Sequence, residues 1–177
     1  MINEKNLSSL MPTTRIPHAE GITLDGIKSF INRQADEYQI PISVEYDQLK
    51  VGNMLTGSVE ECLVVSHPEH KKDYFNFCIR LRRQGTIGFL SVDSFGSSKN
   101  TKKLNLKGSA TGFVKAGWKT AGQKASAGSS YIGMDIVGGA LKGAISGIAR
   151  LGGSKKKAEE EQLWYGALQQ IIADLMN

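Results

Sequence analysis

The chain is short of the residues that most readily mark a catalytic or disulfide-built protein. Two cysteines in 177 residues make no disulfide framework. Three histidines, His18, His67 and His70, leave little for nucleophilic or general-base chemistry. No G-x-S-x-G turn, H-E-x-x-H helix, Walker A loop or G-x-G-x-x-G run occurs. Paired acids do occur, but Glu60 and Glu61 are neighbours in a predicted strand and point to opposite faces, so they form no dyad. No enzyme activity and no cofactor are expected from this inventory. Aromatics are somewhat sparse, at 7% of the chain. No uncharged apolar run approaches the roughly 18 residues of a transmembrane helix. Residues 1–10 hold no apolar segment of the secretory type, and a cytoplasmic location with reduced thiols is the expectation.

What is present is unevenly spread. The net charge is +5, with 22 Lys/Arg against 17 Asp/Glu. Residues 1–107 carry 14 basic and 12 acidic side chains, residues 108–157 carry 8 and 1, and residues 158–177 carry none and 4. The basic character therefore belongs to the middle of the chain. That middle also holds 12 of the 20 glycines, between Gly108 and Gly153.

The pattern suggests four segments: a flexible arm over 1–21, a helix-plus-sheet domain over 22–105, a basic Gly-rich segment over 106–157, and an amphipathic helix over 158–177. In the arm, Pro12 and Pro17 interrupt any period. Leu24, Ile27, Phe30, Ile31, Ala35 and Tyr38 fall at helical spacing, and Pro41 disfavours helix at Ile40. A first hairpin is then expected in 42–51, with Asp47-Gln48 as a two-residue loop, although Asp-Gln suits a type I′ turn poorly.

The central hairpin turns about His70, so that Leu63 faces Phe77 and Val65 faces Phe75 on an apolar side. On the other side Glu60 meets Arg80 and Cys62 meets Cys78. A third turn at Arg83-Gln84-Gly85 leads into strand 86–95. A two-residue loop sets Gly88, Leu90 and Val92 on the apolar face; a three-residue loop sets Ile87 and Phe89 there. The fold class is thus α+β: an antiparallel sheet of about five strands with N- and C-terminal helices on one face, plus a Gly-rich insertion.

Three site hypotheses concern the sheet. Cys62, His67, His70 and Cys78 are a ligand set zinc accepts. The cysteines lie mid-ladder and the histidines at the hairpin tip, roughly 16 Å away at 3.3 Å per residue, so no metal site is expected. The facing cysteines could instead form a thiol pair with redox function, or simply fill the sheet face as small residues. Nucleic-acid binding through Arg80, Arg82, Arg83 and the following lysines lacks exposed aromatics on that face and is not expected.

The leading reading is a non-enzymatic protein-interaction module, binding a protein partner or a second copy. Its surface would be strand 86–95 (Ile87, Phe89, Leu90, Val92) and the last helix (Trp164, Leu168, Ile171, Ile172, Leu175). The alternative is a peripheral membrane protein. Gly139, Gly143 and Gly147 share a helix face, and Lys142 and Arg150 on its edge would suit an anionic membrane surface.

Overall fold

A computed structural model describes residues 1–52, 57–99 and 153–175. The chain divides into two compact units, residues 1–33 with 41–97, and residues 34–40 with 98–177. The α+β class holds: among the described residues a mostly antiparallel sheet of seven strands accompanies two α-helices.

The sheet is built on four nine-residue strands, β4 (Ser43–Val51), β5 (Ser58–Ser66), β6 (Asn76–Gln84) and β7 (Ile87–Phe95), each antiparallel to the next. Three short strands from the N-terminus complete it. β1 (Ile2–Asn3) runs parallel to β4, while β2 (Ser8–Ser9) and β3 (Thr14–Ile16) pair antiparallel with β7. Residues 1–21, expected as a flexible arm, are therefore tied to both edges of the sheet. Backbone bonds Leu10 N–H to Val92 O (3.1 Å) and Ala19 N–H to Thr86 O (2.8 Å) extend the attachment. Unpaired edge backbone on β4 and β7 is what makes this attachment favourable.

The path of this segment constrains the sheet. In the order β1-β4-β5-β6-β7-β2, five strand spacings separate β1 from β2. A flat sheet would need about 24 Å at 4.8 Å per spacing, whereas the five residues from Asn3 to Ser8 reach at most about 17 Å. The sheet must curl, and the strap formed by residues 2–9 closes over the concave side. A short 3₁₀ turn, Glu4–Asn6, forms the middle of the strap, with the Asn3 side chain accepting from the Lys5 amide at its start.

The two sheet faces have separate cores. On the convex face Val44, Leu63, Val65, Phe77, Ile79, Leu90 and Val92 are buried. Helix α1 (Leu24–Tyr38) starts at Thr23, whose hydroxyl accepts from the Gly26 amide at 3.0 Å, and buries Ile27 and Ile31. It ends in a left-handed Gln39 (φ 56°), with Ile40 N–H reaching Ala35 O at 2.8 Å and Pro41 following. On the concave face Ile2, Leu49, Cys62, Val64 and Cys78 form a second cluster, joined by Leu7, Val51 and Phe95.

Three sequence expectations are corrected. Among the described residues the sheet has seven strands rather than about five. There is no first hairpin: β4 runs straight through Asp47-Gln48, with nine pairs from Ser43↔Ser66 to Val51↔Ser58. Asp-Gln lacks the glycine that a type I′ turn favours at its second central position, and the left-handed residue comes after the strand, at Gly52 (φ +86°). The apparent change of apolar phase between Val44 and Leu49 arises because β4 buries one residue in each core. Third, β5 and β6 pair as Leu63↔Ile79, Val64↔Cys78 and Val65↔Phe77, two residues away from the expected register. Cys62 and Cys78 are therefore diagonal neighbours and not opposite ones. A slip of two keeps every side chain on its face, so apolar matching could not detect it.

The β6–β7 turn takes the two-residue form, Gln84↔Ile87 with Gly85 at φ +62°, which places Gly88, Leu90 and Val92 on the convex face. Helix α2 (Gly153–Leu175) is longer than expected and includes Lys155 to Lys157. Their opposition to the helix dipole costs only a few tenths of a kcal/mol, which their good intrinsic helix propensity offsets. Glu161, Trp164, Tyr165, Leu168, Ile171 and Ile172 are buried along one stripe of α2.

Candidate functional site

Two places in the first unit combine polar chemistry with distinctive burial. The first is an open groove of about 650 Å³ on the convex face, lined by Thr23, Leu24, Asp25, Tyr46, Glu61, Leu81 and Arg83. It lies where α1 begins and leaves the lower end of the sheet bare. Tyr46 donates its hydroxyl proton to the Asp25 carboxylate, and this bond pushes the phenol up to about 12. Lys28 Nζ sits 4.6 Å from the Tyr46 ring centroid, a cation–π distance. Tyr46 stays 40% exposed, and Val59, on the same face and paired with Lys50, stays 57% exposed. Glu61 and Arg83 are exposed and have no ion-pair partner among the described residues. The groove thus has Tyr46 and Leu81 as its apolar lining and the unpaired charges of Glu61 and Arg83 at its rim, with exposed Val59 beside it on the same sheet face.

The second place lies under the strap on the concave face. Arg80, its side chain 14% exposed, holds Asp93 at 2.7 Å and Glu4 of the strap at 3.3 Å. Asp93 is 5% exposed. Arg82 carries the network outward to Glu60 at 2.8 Å and Glu4 at 3.9 Å. Burial works against the Arg80 charge, but the charge and hydrogen bond of Asp93 outweigh it and keep the guanidinium above its ordinary value. Cys62 and Cys78 are both fully buried beside this network, as free thiols. Cys62 Sγ donates to Asp47 O at 3.4 Å. The Cys78 hydrogen bond holds the Cys62 thiol below its ordinary value against the effect of burial. The same bond, with burial, drives Cys78 strongly upward.

The loop between β5 and β6 gathers His67, His70 and Tyr74, with the His70 ring stacked on Tyr74 at 4.7 Å. His67 Nδ1 accepts from the amides of Glu69 (3.2 Å) and His70 (3.3 Å), so it shapes the loop as a hydrogen-bond acceptor. Cys62, His67, His70 and Cys78 thus divide between the loop and the concave core, and no group of three His, Cys, Asp or Glu placed to hold a metal ion occurs among the described residues.

The remaining sequence-derived candidates fall as follows. Leu90 and Val92 are buried, Ile87 and Phe89 are partly buried, and β7 is paired along both edges. Trp164, Leu168, Ile171 and Ile172 are buried and Leu175 is partly buried. Gly139, Lys142, Gly143, Gly147 and Arg150 lie outside the described residues. No described helix is long and apolar enough to cross a membrane. The Glu4–Arg80–Asp93 network was not anticipated. Its one signal is Asp93, the sole charge in an otherwise uncharged strand. Compared with known proteins, the chain matches no family model, no curated protein and no solved structure.

Proposed function

We propose that this chain is a non-enzymatic protein-interaction module, and that the groove at the start of α1 receives the partner. The observation that supports this reading is the combination at one spot of exposed apolar surface (Val59, Tyr46) with two exposed, unpaired, opposite charges (Glu61, Arg83). Interfaces between proteins have this anatomy, an apolar centre with a polar rim. The groove is open and shallow rather than enclosed, which suits a protein surface better than a small molecule that must be mostly buried. The two residue sets favoured from sequence, on β7 and α2, are largely internal to the chain, so the groove takes their place.

The partner offers an apolar side chain to Leu81 and Val59, an acid to Arg83 and a base to Glu61. The test replaces Val59 by a photo-crosslinking amino acid in the full chain and compares the adducts with those of an Arg83→Glu background. A discrete adduct at Val59 that Arg83→Glu abolishes, while circular dichroism is unchanged, supports the reading. An adduct of twice 19.2 kDa would identify the partner as a second copy. Absence of any discrete adduct, or adducts indifferent to Arg83→Glu, would refute it.

A further inference from the structure

The interaction reading makes no use of the two thiols beneath the strap, yet their surroundings are unusual for inert core cysteines. We infer that Cys62 and Cys78 form an oxidation site, at which a hydroperoxide converts the pair into a reversible intramolecular disulfide.

Three observations carry this. Both thiols belong to one enclosed cluster on the concave face, as diagonal neighbours on adjacent strands. Next to them stands a cation: continuing the β5–β6 register sets Cys62 opposite Arg80, as the Glu60–Arg82 ion pair one step along corroborates. Finally, Arg80 uses its terminal nitrogens on Glu4 and Asp93, while its Nε–H is buried without an acceptor. A neutral thiol is a weak acceptor, whereas a thiolate at Cys62 is a strong one, so ionising Cys62 supplies what that N–H lacks. Position assigns the roles: Cys62, opposite the Arg80 guanidinium, is the nucleophile, and Cys78, its diagonal neighbour on β6, keeps its proton until the second step.

The chemistry balances with one peroxide. The Cys62 thiolate attacks a peroxide oxygen and the O–O bond breaks. Cys62 becomes a sulfenic acid, and water or an alcohol leaves with the proton that Cys62 gave up. The Cys78 sulfur then attacks the Cys62 sulfur. The S–S bond forms, the S–O bond breaks, and the hydroxyl departs as water with the Cys78 proton. Two thiols lose two electrons, and the peroxide gains them.

The two-residue offset decides what kind of disulfide this is. Diagonal neighbours lie roughly 7–8 Å apart, whereas an ordinary disulfide spans about 4.4–6.8 Å between Cα atoms. Closing the bond must draw β5 and β6 together and store strain, which makes the bond easy to reduce. That suits a switch and not a staple. The displaced backbone lies next to Arg80, so oxidation loosens the grip of Arg80 on Glu4 and thereby the strap. The strap also controls entry, since both thiols are fully buried beneath it and β1 and β2 hold by only two residue pairs each.

The experiment treats the reduced full chain with hydrogen peroxide, blocks free thiols with N-ethylmaleimide, and reads intact mass and non-reduced peptides. The expected product has lost two hydrogens, links Cys62 to Cys78 within one chain, and reverts with dithiothreitol. Cys78→Ser stops at a Cys62 sulfenic acid trapped by dimedone. In a Glu4→Ala background, where the strap is already released, adding Arg80→Met to that variant slows trapping several-fold, because the thiol loses its neighbouring cation. Glu4→Ala speeds it by loosening the strap. Native wild-type chain whose thiols both survive a peroxide treatment that oxidises the urea-unfolded chain would overturn the inference. So would a product that is intermolecular. The wild-type result decides the matter even if a cysteine variant fails to fold.

Discussion

Replacing Asp93 by Asn tests whether the concave-face network holds the strap. Asp93 is almost completely buried and sits 2.7 Å from an Arg80 that is itself 14% exposed. Removing one partner of a buried pair costs about 3–5 kcal/mol, because the other charge is left uncompensated. Arg80 keeps Glu4 at 3.3 Å, so the lower end, about 3 kcal/mol, applies. Glu4→Gln removes the other partner, but that side chain is 38% exposed, and solvent screening limits its loss to about 1 kcal/mol. Urea unfolding separates the two. With a slope of about 2 kcal/mol per molar, Asp93→Asn moves the midpoint down by roughly 1.5 M and Glu4→Gln by no more than about 0.5 M. The double variant Arg80→Met/Asp93→Leu, which removes both charges, recovers more than half of the Asp93→Asn loss. Equal effects of Asp93→Asn and Glu4→Gln, or a double variant no better than the single, would refute the assignment of a buried, desolvated pair.

Two further outcomes follow from single contacts. A methyl group at Gly88 would lie 2.7 Å from the Ala19 Cβ, a backbone-anchored neighbour that cannot swing away. Gly88→Ala is therefore expected to cost about 1–3 kcal/mol by overpacking, whereas Gly21→Ala, where the space is open, stays close to wild type in thermal unfolding. For His67, burial first and His70 second pull the pKa below its ordinary value, and the neutral ring accepts two loop amides. Its stabilising contribution is complete above about pH 6.5, the unfolded value, and is lost as pH falls from there through the lowered folded value. Wild type should thus lose more stability between pH 7.5 and 5.5 than His67→Asn; identical losses in urea titrations would remove His67 as the cause.

The fold class and the side-chain faces of β5 and β6 were readable from alternation. Leu63, Val65 and Phe77 share a face because a strand alternates with period two, and any even-numbered slip preserves that, whereas the face of Leu90 and Val92 waited on the loop length at Gly85. The span of α1 was readable for a similar reason. Its apolar period runs from Leu24 to Tyr38, and Pro41 limits its end. Little of either candidate site was legible in the same way. The groove depends on where α1 stops covering the sheet, which no local pattern records. The Arg80–Asp93 contact joins strands that alternation leaves free to slide.

Local sequence thus settled which residues point the same way within an uninterrupted strand such as β5 or β6, because that depends on backbone geometry over a few residues. Long-range contacts settled the rest. The loop hydrogen bonds around His67 and His70 belong to a hairpin offset by two residues, which moved Cys62 from opposite Cys78 to opposite Arg80. Residues 1–21 carry no period of their own, and their strands exist because open backbone on β4 and β7 was there to pair with. Asp47-Gln48 resembled a turn until nine consecutive pairs with β5 outweighed it. In each case the competing local states differ by about a kcal/mol or less, and contacts distant in the chain chose among them.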